Sequence, residues 1–429
     1  MKISLDPVIV SRLKQAWDKL PQDQKARLAP TLLAAHQQAV TVTQTGTAPT
    51  ADPAVPHQLL LAHSALTDDR DGVVGTLEAG VVIDVAPDGA IWGTSKYQNL
   101  DPGWTEALTV YLENLITGQH AFLSTPKTFA VPDTVQIGMA GDWGTGDWRT
   151  AANPAPSADV KNHMAFLQPD LTIHLGDVYY AGTKDEEQHL LINLWPPGSL
   201  GALALNSNHE MYSGAKPYFD NALTSTVFSV PPAAGAPSQP QTASYFALEN
   251  TNWVVVGLDS AYYADSDDLY INGSLFSDDG PQVQLDFLRQ QAAKNKKMLV
   301  LTHHNGLSED GSSTNALWAQ VMSAFPEGKG PDYWYWGHVH AGIVYQPQPP
   351  QPGGPAQVEC RCSGHAALPW GLASELQNKP NVVWYETRSA KDPDIPERVL
   401  NGFTVLYLDG PEITEVFYDE NGGVAWGNK

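Results

Sequence analysis

From about residue 131 onward the chain repeats one local pattern, a short apolar run that stops in Gly-Asp, Asn-His or paired histidines. The runs are VQIGMAGD, LTIHLGD, ALALNSNHE, VVVGLD, MLVLTHH and YWYWGHVH. Apolar runs of this length, bounded by turn residues, have the dimensions of buried strands. Helical periodicity over 158–168, 281–294 and 314–324 separates some of them. Strand and helix in alternation predict an α/β fold around a buried sheet. Ligands of such sheets bind beyond the carboxyl ends of the strands, where these polar clusters fall. Two Pro-rich stretches, 229–241 and 346–355, read as surface loops. The final GFTVLYLDGPEITEVFYDENGGVAW predicts two more β runs around an Asp409-Gly410 turn.

The first 125 residues have a different texture. Val8, Ile9, Leu13 and Trp17, then Leu28, Leu32 and Leu33, carry helical spacing, with Pro21 as the break between two helices. Residues 41–56 are Thr/Ala/Pro-rich without periodicity and read as a linker. A hairpin is expected around Pro87-Asp88-Gly89, and an amphipathic helix over Trp104 to Ile116. Residues 1–125 are therefore read as a mainly helical accessory region of unassigned role, ahead of a unit spanning 131–429.

Charge narrows the partners. With 24 Lys+Arg against 47 Asp+Glu the net charge is −23. Affinity for a phosphate polymer comes from Lys/Arg displacing counterions, so nucleic acid is not an expected partner, nor is an acidic membrane surface. Screening over roughly 8 Å leaves a local cationic site open, and with it a small anionic substrate. The two cysteines, Cys360 and Cys362, are too few for a disulfide framework or a zinc ribbon and read as a reduced pair on a strand. The first twenty residues lack a signal-peptide apolar run and no stretch reaches membrane-span length, so a cytoplasmic setting is expected.

The polar strand ends form an ordered series: Asp142 in GDWG, Asp177 and Tyr180 in GDVYY, Asn208 and His209 in NHE, His303 and His304 in LTHH, and His338 and His340 in GHVH. The series resembles the calcineurin-like metallophosphoesterase superfamily, and within it the purple acid phosphatase-like branch. Ser207 departs from the pattern, standing where that branch carries Gly. The resemblance implies a metallophosphoesterase-type α/β sandwich, two mixed β-sheets flanked by helices, over about 131–429.

It further implies two metal ions bridged by Asp177, the first held by Asp142, Tyr180 and His340, the second by Asn208, His303 and His338. His209 would face the substrate as the catalytic acid or charge stabiliser. A bridging carboxylate suits two cations at about 3.5–4 Å, the spacing that clamps attacking and leaving oxygens of a phosphoryl group. A phenolate ligand favours a trivalent ion, hence Fe(III) paired with Zn(II), Mn(II) or Fe(II). The expected reaction is hydrolysis of a small phosphate monoester by in-line attack of a metal-activated hydroxide. A phosphodiesterase acting on a cyclic nucleotide or other small diester is the alternative, and a non-catalytic binding module on the same fold is a third reading.

Simpler roles compete at several positions. Tyr179 is the alternative inward tyrosine. His304, His365 and Trp143 are candidate substrate contacts, with a structural role favoured for each, and His174 inside its apolar run reads as a core histidine.

Overall fold

The computed structural model describes residues 5–49, 59–61, 66, 80–233 and 235–428. Strands β1 (Val82–Val85) and β2 (Ile91–Gly93) form the expected hairpin around 87–89. Two larger sheets follow among the described residues. One runs β18 (Val424–Gly427), β17 (Glu412–Asp419), β16 (Gly402–Asp409), β4 (Thr134–Ala140), β5 (Leu171–His174) and β6 (Gly201–Ala204). The other runs β15 (Val382–Tyr385), β13 (Gly342–Tyr345), β14 (Glu359–Ser363), β12 (Tyr333–Trp336), β11 (Lys297–Leu301), β10 (Trp253–Gly257), β9 (Phe246–Glu249) and β3 (Lys127–Ala130). Both are mixed: β4, β5 and β6 are parallel neighbours, as are β10, β11 and β12, while β16 and β9 run antiparallel to β4 and β10. The Pro-rich 229–241 is a loop pinched by the short pair β7 (Ser229–Val230) and β8 (Gln239–Pro240).

Side-chain alternation explains the layers. In β11, Leu299 and Leu301 meet Ile137, Ile173 and Leu203 of the facing sheet, while Met298 and Val300 pack on the other face with Leu285, Leu288 and Val321. The latter three sit on the helices 283–292 and 316–322. In β14, Cys360 and Cys362 point to that helical side as buried free thiols. Arg361 between them turns into the sandwich, where its Nε and Nη2 donate to Glu415 of β17 at 2.8 and 3.1 Å. An ion pair thus joins the two sheets across their interior.

Helix Pro156–Leu167 packs on the smaller sheet, and the first 125 residues add a further set of helices. Pro21 separates helices Pro7–Lys19 and Gln22–Thr45, and a third helix spans Trp104–Thr117. Helix 22–45 continues five residues into the segment expected to be a linker and ends at left-handed Gly46; residues 50–56 lie outside the described residues. One continuous buried cluster holds Leu13, Leu28, Trp104, Leu108 and Tyr111 of this region together with Tyr179, Met211, Tyr212 and Phe403. Described residues of the first 125 therefore share a core with the sandwich.

Candidate metal centre

Each ligand candidate leaves a strand at its carboxyl end: Asp142 after β4, Asp177 after β5, Asn208 after β6, His303 after β11, and His338 and His340 after β12. Parallel β4, β5 and β6 bring the first three side by side, and parallel β11 and β12 bring the histidines up from the other sheet. Four of these residues sit in the left-handed region, at φ 60° for Asp142, 78° for Asp177, 66° for His338 and 55° for His340. Non-glycine residues are uncommon there and concentrate where side chains are aimed for function.

The side chains converge. Asp177 Oδ1 lies 3.3 Å from His303 Nε2, and Asp142 Oδ1 lies 3.3 Å from His340 Nε2. His303 Nε2 also lies 2.9 Å from Asn208 Oδ1 and 3.3 Å from His338 Nδ1. His303 Nδ1 faces the Leu175 carbonyl at 2.9 Å, and a carbonyl only accepts, so the proton sits on Nδ1 and Nε2 presents a lone pair. Lone pairs of imidazole, amide and carboxylate thus face one another in a buried pocket, an arrangement that repels itself without a cation between them. Asp142, Asp177 and His303 place ligand atoms within 4.8 Å of one another, and so do His303, His304 and His338. The donor set fits two cations.

Electrostatics points the same way. Burial and the neighbouring Asp177 raise the Asp142 carboxyl well above the usual range. Burial opposes the Asp177 charge too, but His209 and the Ser207 hydroxyl hold that carboxyl well below it. Burial lowers His303 and His338 and brings His340 to about 3, keeping the imidazoles in the neutral form that binds metal.

The tyrosine shifts by one position. Tyr179 OH points into the centre, 2.7 Å from Asp177 Oδ2, 3.2 Å from Asp142 Oδ1 and 3.3 Å from His340 Nε2. Tyr180, the expected ligand, points away: its hydroxyl donates to Asp101 Oδ2 at 2.5 Å. Its ring is packed by Tyr97 at 4.9 Å and Trp104 at 4.8 Å. An aromatic slot and a carboxylate from the first 125 residues claim Tyr180.

His209 lies beside the ligand cluster, its Nε2 3.9 Å from Asp177 Oδ2. Its Nδ1 faces the Tyr180 carbonyl at 2.7 Å, so Nδ1 carries a proton and Nε2 is the atom turned to the centre. Ser207, the residue that departs from the family pattern, uses its hydroxyl: Oγ touches both Asp177 Oδ1 and Glu210 Oε2 and accepts from the His209 amide at 3.1 Å. One hydroxyl has one proton, so with Ser207 donating to Asp177 the Glu210 carboxyl must carry its own. Burial and then Asp177 push Glu210 up to about 8, in keeping with that.

The three candidate substrate contacts, for which a structural role is favoured, are placed as follows. Trp143 is a core residue, 1% exposed, with Nε1 donating to the Ser157 carbonyl and its ring edge-on to Trp195. Adjacency to Asp142 in sequence puts it on the opposite side of the turn. His304 lies 4.6 Å from the His338 ring, but Nδ1 pairs with Ser260 Oγ and Nε2 with the Tyr270 carbonyl. Proximity alone would make it a ligand or substrate contact; its committed nitrogens make it a prop for His338. His365 borders a narrow cavity shared with His340, Trp370, Tyr385 and Glu386, and neither ring nitrogen has a hydrogen-bond partner.

His174 is the core histidine expected, edge-on to Trp143 and Trp195 and without hydrogen-bond partners. Burial lowers it to about 3. Its folded pKa lies below the unfolded value, so its stabilising effect is complete above about pH 6.5 and is lost as pH falls towards 3, by a few kcal/mol. His174→Leu should narrow the drop in urea midpoint between about pH 7 and pH 4.5; an unchanged drop would refute this account.

Sequence reasoning assigned the site nothing from the first 125 residues, yet they wall it. The Trp104 ring lies 5.9 Å from His209, and Tyr97 lies 5.9 Å from Tyr179. Trp370, whose ring is 4.6 Å from His340, donates from Nε1 to the Asp88 carbonyl in the hairpin turn. The aromatic spacing around 97–104 could have flagged a wall, but not which site it served.

Residues 135–342 match a family model described as calcineurin-like phosphoesterase. No curated protein sequence matches the chain. Among solved structures it is similar to a purple acid phosphatase from yellow lupin (Lupinus luteus) seeds, at 13% identity and TM-score 0.45, with 69% of this chain and 54% of that one covered. The chain thus spans about half the length of the lupin protein. It is also similar to a dimetal phosphatase from Danio rerio, at 14% identity and TM-score 0.39, covering 66% and 95%. The anchor of the inner membrane complex of Plasmodium gives 13% identity and TM-score 0.42, covering 69% and 88%. No helix among the described residues is long and apolar enough to cross a membrane.

Proposed function

We propose, from the match of residues 135–342 to the calcineurin-like phosphoesterase model, that this chain is a dinuclear-metal phosphatase of small phosphate monoesters. The observation that carries the proposal is the convergence of Asp142, Asp177, Asn208, His303, His338 and His340, lone pairs inward, beside the Nε2 of His209. Asp142, Tyr179 and His340 would hold one ion, Asn208, His303 and His338 the other, with Asp177 between. Bound there, the ions would supply positive charge for the phosphoryl oxygens and acidify water.

The chain's own residues do the rest. His209 presents Nε2 to the substrate side, placed to donate a proton to the departing oxygen or to stabilise charge on the phosphoryl group. Ser207 holds Asp177 by its second oxygen. Among the ligand histidines His338 and His340 retain some exposure while His303 is fully buried, so the phosphate approaches from the side of the 338–340 turn. Flanking Trp104 and Trp370 favour an ester with a single substituent over a bulkier diester. The surrounding −23 protein repels polyanions and leaves a small ester as the substrate.

The test is elemental analysis of protein purified without chelators, followed by paired aryl mono- and diester assays. Two metal equivalents and monoester preference are expected; strong diester preference would overturn the substrate class, and a metal-free inactive protein would favour a binding module. Should one ion be Fe(III), the protein will absorb visible light through a phenolate, and Tyr179→Phe will bleach it while Tyr180→Phe will not. His209→Ala should lower kcat roughly a hundred-fold with both metals retained.

A further inference from the structure

We infer that Asp101, Gly103 and Tyr180 form a positioning unit through which the N-terminal region sets the orientation of His209; the catalytic consequence rests on the phosphoesterase reading above. His209 Nδ1–H donates to the Tyr180 carbonyl at 2.7 Å. A shift of that carbonyl therefore turns the ring and with it the direction of Nε2. The Tyr180 amide donates to Glu186 Oε1, and its hydroxyl donates to Asp101 Oδ2 at 2.5 Å. Asp101 is itself immobilised by the amides of Tyr97 at 2.6 Å and Gly103 at 2.9 Å.

Gly103 supplies the independent observation. Its backbone is ordinary helical, φ −58° and ψ −29°, so no residue is excluded on conformational grounds. A Cβ there would instead fall 2.4 Å from Cζ and 2.5 Å from the hydroxyl oxygen of Tyr180. The glycine is needed so that the Tyr180 ring can lie against the chain beside Asp101. Tyr97 and Trp104 close the slot, at 4.9 and 4.8 Å. The segment 97–104 thus holds Tyr180 by its ring, and Tyr180 holds His209 by its carbonyl. Partners one step removed from a working group typically contribute ten- to a hundred-fold to activity.

The test uses the full-length, metal-loaded chain with Gly103→Ala and Tyr180→Phe, each alone and combined with His209→Ala. Expected in the single variants is a roughly ten- to hundred-fold loss of kcat with KM within about twofold and metal content unchanged. In the His209→Ala background neither change should cost more. Equal losses in both backgrounds, or a loss that follows metal content or KM, would overturn the unit. A second readout needs no turnover: in 15N-histidine spectra of the metal-free protein, the His209 Nδ1–H should be protected from solvent exchange by the Tyr180 carbonyl and lose that protection in both variants. Unchanged protection also overturns the inference. If the wild type binds two metals but hydrolyses no phosphate ester, the phosphatase reading fails while the exchange result still decides the Asp101–Tyr180–His209 linkage. Tyr180→Phe deletes only one oxygen and serves if Gly103→Ala does not fold.

Discussion

Asp177→Asn should lower turnover on the order of a thousand-fold and cost the protein at least one of its two metal ions, without destabilising the metal-free fold. Asp177 is the hub of the centre, touching Tyr179, Ser207 and His303 within hydrogen-bonding range and facing His209. Asparagine keeps the shape but exchanges one acceptor oxygen for a donor. That donor must face either the Ser207 and His303 side or the Tyr179 hydroxyl, and on either side one lone pair that a cation needs is gone. Several kcal/mol of charge stabilisation at the phosphoryl group go with it, and each 1.36 kcal/mol is tenfold in rate. Stability should change little. In the metal-free protein two buried carboxylates oppose one another, as the raised Asp142 carboxyl records, while His209 attracts Asp177; the variant loses both effects, which offset. Elemental analysis, kinetics and thermal unfolding of the metal-free variant check the three parts. Full metal content with normal turnover would show that Asp177 bridges nothing.

The second large effect is on stability. Glu415→Ala should destabilise the fold by about 3–5 kcal/mol, with the urea m-value unchanged. Glu415 is fully buried and takes both Nε and Nη2 of Arg361, the Tyr335 hydroxyl and the Asn428 amide. Alanine leaves the Arg361 guanidinium, 4% exposed, inside the sandwich with Glu359 as its remaining carboxylate at 3.0 Å. That residual partner places the loss towards the lower figure. Urea titration of the variant measures it, and a change below about 1 kcal/mol, the range of an exposed pair, would mean that the pair is hydrated. The two substitutions are mirror images. One removes a charge from a place that wants a cation from outside the chain; the other removes a charge whose cation is already built in.

What the sequence disclosed follows from which forces are local. Strand ends are legible because an apolar run and the polar residue that stops it lie within a few residues, and parallel pairing carries β4, β5 and β6 to one edge. Helix breaks at Pro21 and the turn at 87–89 are legible for the same reason. Tyr179 and Tyr180 are not separable from sequence, since both are tyrosines and what decides between them is Asp101, 79 residues upstream. His304 was ambiguous because its partners, Ser260 and the Tyr270 carbonyl, come from another loop. Trp143 was open to two readings because it adjoins Asp142 in sequence; its Nε1 bond to the Ser157 carbonyl, fourteen residues on, decides for the core. The first 125 residues gave no functional signal because their part of the site is made wholly of long-range contacts.

That shared core has a consequence for biosynthesis. The apolar face of helix 104–117 leaves the ribosome about a hundred residues before Met211 and Tyr212, which cover it. At roughly 5–20 residues per second the nascent helix waits on the order of ten seconds without its partners. Phe403, in the same cluster, is made later still. A recombinant fragment starting near residue 131 would lack the covering helix and expose the complementary patch.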